Sequence, residues 1–483
     1  MMKSYLVPRL QDILFLGIFI AAMLLGPRML NQDGDLPRHL AMGRYVLQNG
    51  LPPTTDVFSF TNYGKAFASH EWFAGFLFYA IYLLFGLNGV VILSSTLLAG
   101  AFTIIYADNV ARSGLRLPVF FFTAFGAVVS SLHWIVRPHL FTMLFIAIWL
   151  VLIERLRRGE AVKLWLLPLL MAIWANTHGE FIAGFLVLGA YLAGWGWDYL
   201  FNRSLVSPPV GIRLGLATGL SFLASLVNPS GLGVWTTVLG YLNNKYLISH
   251  TNETNPPNFL QPQFMLLLFF LALSIFMVAI KKGSIPTAHA LLLAGFTALS
   301  LTSARNVHLY GIVAPFILSG TLTDGIRVGL VQRYENLFAK VEDGVKGIVW
   351  PTFTVLFFCF ALAVWPPVYR FDPSFFPVNA VNWLKNNPQP GNMFNHFDWG
   401  GYLIFNLWPE KKVFIDSQTD VYGEEFTRKY EQVITLAGNW QQIFSEFDVH
   451  WAILPPNWPL GPALLQAGWQ EVYRDGTAVI YNH

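Results

Sequence analysis

The feature that most constrains this chain is an apolar run, close to the length of a bilayer crossing, that recurs between short polar connections. A spanning helix needs roughly 20 mostly apolar residues. Eleven segments approach this, at about 12–30, 88–110, 117–133, 139–155, 164–177, 180–200, 212–228, 262–281, 287–303, 308–324 and 347–366. Of the 483 residues, 54% are hydrophobic and only 12% charged, about half the charged share of a soluble domain. A soluble enzyme of this length would lack the surface ions that keep it in solution, and a disordered chain would be far less apolar. The lipid bilayer is therefore a partner. A net charge of +3 is too mild to indicate nucleic acid. The single cysteine, Cys359, lies in an apolar run, so neither an internal disulfide nor a cysteine zinc cluster is expected. Lys3 and Arg9 followed by Ile13 to Leu25 resemble a signal peptide, but no small-residue cleavage site follows. The segment is expected to remain as the first crossing.

Basic residues orient the crossings. With the N-terminus in the cytoplasm, 16 fall inside, among them Lys3, Arg112, Arg116, the run Arg155 to Arg158, Arg203, Arg213, Lys282, Arg327 and Lys346. Seven fall outside before residue 367, namely Arg28, Arg38, Arg44, Lys65, Arg137, Lys245 and Arg305. Counting Trp72 to Phe85 as a crossing would put Arg155 to Arg158 outside. It is expected instead to lie along the outer interface over residues 72–86, anchored by Trp72, Tyr79 and Tyr82. The chain then divides into a helical membrane domain, 1–366, whose first outer loop is 31–87, and an extracytoplasmic tail, 367–483. In the tail Val413 to Ile415, Trp451 to Leu454 and Ala478 to Tyr481 read as short buried strands. Helical stretches near 379–386, 424–434 and 440–447 lie between them, the pattern of a small α/β domain.

The chemistry-bearing residues gather on the outer side. Asp33-Gly34-Asp35 is followed by Arg38 and His39, and the same loop ends in Ser69-His70-Glu71-Trp72. A carboxylate at the lip of a bundle can deprotonate an acceptor or ligate a divalent metal, although Ser69 and Glu71 also suit a helix start. Asn176, His178 and Glu180 sit in a very short connection, where polar groups need a cavity or a partner. His133, Arg137, His139, Arg305 and His308 occupy other outer helix ends. Arginine suits bidentate phosphate recognition, and a basic, histidine-rich, carboxylate-bearing mouth suits a lipid phosphate. In the tail, Gly400-Gly401 and Asp416 mark a turn and the end of an expected strand. Neither a P-loop nor a His-Glu-x-x-His motif occurs, so nucleotide hydrolysis is not expected.

These residues resemble the GT-C class of polytopic glycosyltransferases, which use polyprenyl-phosphate-linked sugars outside the membrane, and within it a group of bacterial membrane proteins. The class carries an essential aspartate in the first outer loop, matching Asp35, with Asp33 its neighbour. The interfacial helix and small-residue turn match His70 to Phe85 and Gly86 to Gly89. Arg137 to His139 stand where relatives often have an aspartate. The resemblance implies transfer of a sugar from a polyprenyl-phosphate donor to a glycan, lipid or protein acceptor at the outer face of the plasma membrane. Asp35 would be the general base, and Arg137, His139, His178 and Arg305 would hold the donor phosphate. Arg38, His39, His70, Glu71, Asn176, Glu180 and His308 would support donor or acceptor. No cofactor is required, and a divalent metal is an option. The alternatives are a transporter or flippase of lipid-linked glycans, which needs polar residues at the bilayer midplane, and a non-catalytic assembly protein of the cell envelope.

Overall fold

The computed structural model describes residues 6–201, 207–249, 251–281, 285–319, 330–342, 345, 347–364 and 368–483. Residues 320–324 and 365–366 of two expected crossings lie outside these, as do the basic residues Lys3, Arg203, Lys282, Arg327 and Lys346. Every one of the eleven apolar segments forms a helix, from Leu10–Asn31 at the start to Val349–Val364 at the end. Trp72–Ser113 would run about 60 Å as one rod, twice the hydrocarbon core. It breaks at Gly86, with φ 60° and ψ −154°, a conformation open to glycine. Among the described residues, five helices are long and apolar enough to cross a membrane: Leu10–Asn31, Trp72–Ser113, His139–Arg157, Phe181–Phe201 and Pro262–Ile280. By contacts the chain gathers into two compact units. One holds 1–25, 88–228 and 251–366, the other 26–87, 229–250 and 367–483.

The first unit is a helical bundle. Val307–Leu318 is buried along its whole length and crosses Leu117–Ser130 at backbone distance. A Cβ on Gly126 would lie 2.4 Å from the Gly311 carbonyl oxygen, the small-residue crossing that lipid-embedded helices favour. Inside the bundle the Glu154 carboxylate is bound by Arg157 (2.7 Å), the Tyr191 hydroxyl (2.9 Å) and His289 Nε2 (2.9 Å). A buried charge is tolerated only when so matched.

The second unit is an α/β domain. Its four strands, β1 (Asn392–Asn395), β2 (Val449–Leu454), β3 (Gln470–Arg474) and β4 (Val479–Asn482), lie in the order β1-β2-β4-β3. Only β1 and β2 are parallel, with Phe394 opposite Ala452, while Ile453 faces Ile480 across the antiparallel β2–β4 pair. Strand alternation sends Met393, Trp451, Ile453 and Ile480 to one face and Phe394, Ala452, Leu454 and Tyr481 to the other. The first set packs on Val378–Asn386, Gly400–Leu407 and the first-loop helix Asp35–Asn49. The second packs on Thr419–Ile434, Trp440–Glu446 and Leu460–Gln466.

Two of the three expected strands form. Val413 to Ile415 does not join the sheet, because its backbone is satisfied elsewhere. Val413 pairs with Phe58 and Phe60 of the first loop (both 3.1 Å), and the Asn395 side chain receives Phe414 N–H (2.8 Å) and donates to the Ile415 carbonyl (2.8 Å). β1 and β3 were not anticipated. Gly400 and Gly401 admit protein backbone. A Cβ on Gly401 would meet the Gly34 oxygen at 2.4 Å, and one on Gly400 the Ile415 oxygen at 2.3 Å. Arg44 donates to the carbonyls of Ile404, Phe405 and Trp408 at the end of Gly400–Leu407, so this outer cation closes a helix C-terminus.

Within this unit Arg38 Nε binds Asp416 Oδ1 at 3.0 Å, the two side chains being 7% and 3% exposed. Removing one partner strands a buried charge. Arg38→Met is therefore expected to destabilise the unit by about 3–5 kcal/mol, measured as the shift of its thermal unfolding in purified full-length protein. Arg38→Met combined with Asp416→Leu should recover most of the loss.

Candidate functional site

The second unit holds the first-loop residues. Asp33 Oδ1 accepts the Asp35 N–H at 2.9 Å, a local turn that opens the helix Asp35–Asn49. Asp35 thus sits in the first turn, where the helix dipole favours a carboxylate, and it is only partly buried. One turn later Arg38 reaches inward to Asp416, whose oxygens also take the Gln418 N–H (2.8 Å) and the Tyr422 hydroxyl (3.2 Å). Glu71 lies between two imidazoles, 3.9 Å from His39 Nε2 and 3.8 Å from His70 Nε2. Burial pushes the Asp420 carboxyl up; His70 and Arg38 oppose the shift, and Glu71 adds to it. Asp56 is likewise raised by burial, against hydrogen bonds from Ser59 and Phe58 and with the Asp416 charge adding. Ser417 Oγ and Gln418 Oε1 are buried without a hydrogen-bond partner.

The first unit holds a second polar cluster, built from helix ends. His139 begins the helix His139–Arg157, His133 and Arg137 precede it, and His178 and Glu180 lie between Leu166–Thr177 and Phe181–Phe201. Arg305 and His308 flank the start of Val307–Leu318. Ring centroids lie 4.8 Å apart for His133 and His139, 5.1 Å for His139 and His308, and 6.4 Å for His139 and His178. Hydrogen bonds orient three of the four rings. His139 Nε2–H donates to the His133 carbonyl (2.9 Å), His178 Nδ1 meets Thr142 Oγ1 (3.0 Å), and His308 Nδ1–H donates to the Arg305 carbonyl (2.6 Å). That bond turns His308 Nε2 toward Glu180 Oε2 at 3.4 Å, and neither of these buried atoms has a hydrogen-bond partner.

The arginines are already matched. Arg137 Nη1 donates to both carboxylate oxygens of Glu253, at 2.9 and 3.0 Å. Arg305 lies 3.6 Å from Glu180 and 3.6 Å from Glu253, and His133 Nε2 is 4.0 Å from Glu253. Burial would raise the Glu253 carboxyl, but Arg137, Arg305 and His133 hold it down to about 2. Two guanidinium cations thus face two carboxylates. Asn176 ties helix ends together, donating to the Ala172 and Val227 carbonyls at 2.8 and 2.7 Å.

The structure therefore brings Arg137, His139, His178, Glu180, Arg305 and His308 together, and separately sets Asp33, Asp35, Arg38, His39, His70 and Glu71 along one helix and the loop before Trp72. Among the described residues no group of three or more His, Cys, Asp or Glu is arranged to hold a metal ion. Guanidinium groups share the space around the histidines, so this donor set does not fit a divalent cation. Glu253 escaped the sequence reading. The signal was available: an isolated acid in an outer loop whose neighbouring outer loops carry isolated arginines. The partnership of Asp416 with Arg38, 378 residues apart, left no local trace.

The raised Asp56 carboxyl has a pH consequence. The unfolded chain ionises near the ordinary value of 3.8, while the folded unit keeps its proton to higher pH. Stability from this group is therefore greatest below 3.8 and declines as pH rises through the folded value. Asp56→Asn keeps an acceptor for the Phe58 and Ser59 N–H groups. It should flatten this decline in thermal unfolding measured from pH 4 upward.

No protein-family model and no curated protein matches the sequence. Solved structures do match. The oligosaccharyltransferase of Archaeoglobus fulgidus in its apo form gives a TM-score of 0.58 at 11% identity, over 91% of this chain and 69% of that one. The oligosaccharyltransferase AglB from Archaeoglobus fulgidus in complex with an inhibitory peptide and a dolichol-phosphate gives 0.56, at the same identity and coverage. ArnT from Cupriavidus metallidurans bound to undecaprenyl phosphate gives 0.51 at 13% identity, over 96% of this chain and 97% of that one. At these identities the likeness is one of fold, and in fold the chain is a polytopic membrane protein of the GT-C glycosyltransferase type.

Proposed function

We propose that this protein is a membrane glycosyltransferase that moves a sugar from a polyprenyl-phosphate donor to an acceptor on the extracytoplasmic side. The observation that carries this reading is the gathering of two arginines and four imidazoles at one end of an apolar bundle. The helix His139–Arg157 begins in that cluster and ends at Glu154 and Arg157, roughly 25 Å away at 1.5 Å per residue. Cationic donors at a membrane lip suit a phosphate whose hydrocarbon tail stays in lipid. Solved structures of this fold hold dolichol-phosphate and undecaprenyl phosphate, which supports the same class of partner here. The excess of basic residues on alternate connections supports a cytoplasmic N-terminus and an extracytoplasmic first loop and C-terminal domain.

In this reading Asp35 takes the proton from an acceptor hydroxyl or amide. The freed lone pair attacks the anomeric carbon, the bond from that carbon to the phosphate oxygen breaks, and the polyprenyl phosphate leaves with the electron pair. Direct displacement inverts the anomeric configuration. Arg137 and Arg305, with His139 and His178, receive the charge that develops on the leaving oxygen. Asp33 sets the helix head that carries Asp35. Glu180 and His308 orient the phosphate-side groups, and Arg38, His39, His70 and Glu71 fix the first loop.

General-base catalysis contributes about 10²–10⁴-fold. Asp35→Asn is accordingly expected to lower transfer from a labelled polyprenyl-phosphate sugar in membranes by that factor, with thermal unfolding of the purified protein unchanged. Retention of full turnover in the variant would exclude Asp35 as the base.

A further inference from the structure

Glu253 occupies the position at which an anionic ligand of Arg137 and Arg305 would bind. Its two oxygens accept from Nη1 of Arg137 at 2.9 and 3.0 Å, and the carboxylate lies 3.6 Å from Arg305 and 4.0 Å from His133. A carboxylate thus fills the guanidinium edge of Arg137 that a phosphate oxygen would take. The residue sits in the short turn Asn252–Thr254, held by the Thr254 N–H to the Thr251 carbonyl (3.0 Å) and by Ser303 Oγ to the Glu253 carbonyl (3.3 Å). These bonds fix the backbone and leave the three rotatable bonds of the side chain to withdraw the carboxylate from Arg137. The glutamate side chain is 18% exposed, so its carboxylate has a route to water.

We propose, on the glycosyltransferase reading above, that Glu253 is a specificity-determining residue. It holds the phosphate's place until the donor displaces it, and it selects a donor joined through a single phosphodiester over one joined through a pyrophosphate. The reason is charge for charge. A carboxylate and a phosphodiester each bring one negative charge, so the exchange leaves the balance around Arg137, Arg305 and Glu180 unchanged. A pyrophosphate brings a further negative charge into a partly desolvated site, while the displaced Glu253 stays tethered nearby and repels it.

The test measures binding to full-length protein in lipid nanodiscs, with undecaprenyl methyl phosphate as the singly charged probe and undecaprenyl pyrophosphate capped as its terminal methyl ester, which brings one further charge, as the comparison. The wild type is expected to prefer the methyl phosphate. Glu253→Gln should tighten that probe about fivefold, equivalent to about 1 kcal/mol, and narrow the preference over pyrophosphate. Glu253→Asp, which keeps the charge with a shorter reach, should fall between. A merely structural ion pair would weaken binding when broken. If Arg137→Gln abolishes binding but neither Glu253 variant tightens it, the displacement is wrong and the phosphate site stands. Wild-type preference for the pyrophosphate overturns the selectivity. Absence of Arg137-dependent binding of either probe overturns both this inference and the function on which it rests.

Discussion

A charge taken out of water must be matched within a few ångströms, and both units of this chain meet that requirement with an arginine locked to a carboxylate distant in sequence. In one unit Arg38 meets Asp416; in the other Arg137 meets Glu253. The surrounding polar groups are arranged around these pairs. Asp416 is further held by Gln418 and Tyr422, and Glu253 is shared with Arg305 and His133. The two pairs differ in exposure, and the difference sorts their roles. Arg38 and Asp416 are closed off from solvent and act as a fastening, whereas Arg137 and Glu253 are 17% and 18% exposed, the exposure on which the proposed exchange depends.

Four of the seven outer-face cations expected from the sequence divide along the same line. Arg38 pairs with Asp416 and Arg44 with the carbonyls ending Gly400–Leu407. Arg137 and Arg305 face the carboxylates of Glu253 and Glu180, which we propose a donor phosphate displaces. A basic residue on the disfavoured side of a membrane thus has two explanations, structural and chemical, and only its partner distinguishes them.

Much of the fold was legible because membrane crossings are written in composition. Eleven apolar runs became helices since lipid offers backbone groups no other partner, and Gly86 breaks the helix where a 42-residue rod would outrun the bilayer. In the soluble region the apolar runs around Trp451 and Ile480 were read correctly as buried strands. Val413 to Ile415 shows the limit. It is equally apolar and equally buried, but the Asn395 side chain and the first loop supply its hydrogen bonds. Asn392–Asn395 and Gln470–Arg474 carry too little apolar pattern to announce themselves as strands.

The sequence by itself determined the membrane class, the positions of the helices and the concentration of histidine at helix ends, because each follows from transfer of residues between water and lipid. The tertiary structure alone decided which residue meets which. Arg137 and Glu253 are separated by 116 residues and Arg38 and Asp416 by 378, and nothing local couples such pairs. They meet because neither member of a pair can be withdrawn from water without the other.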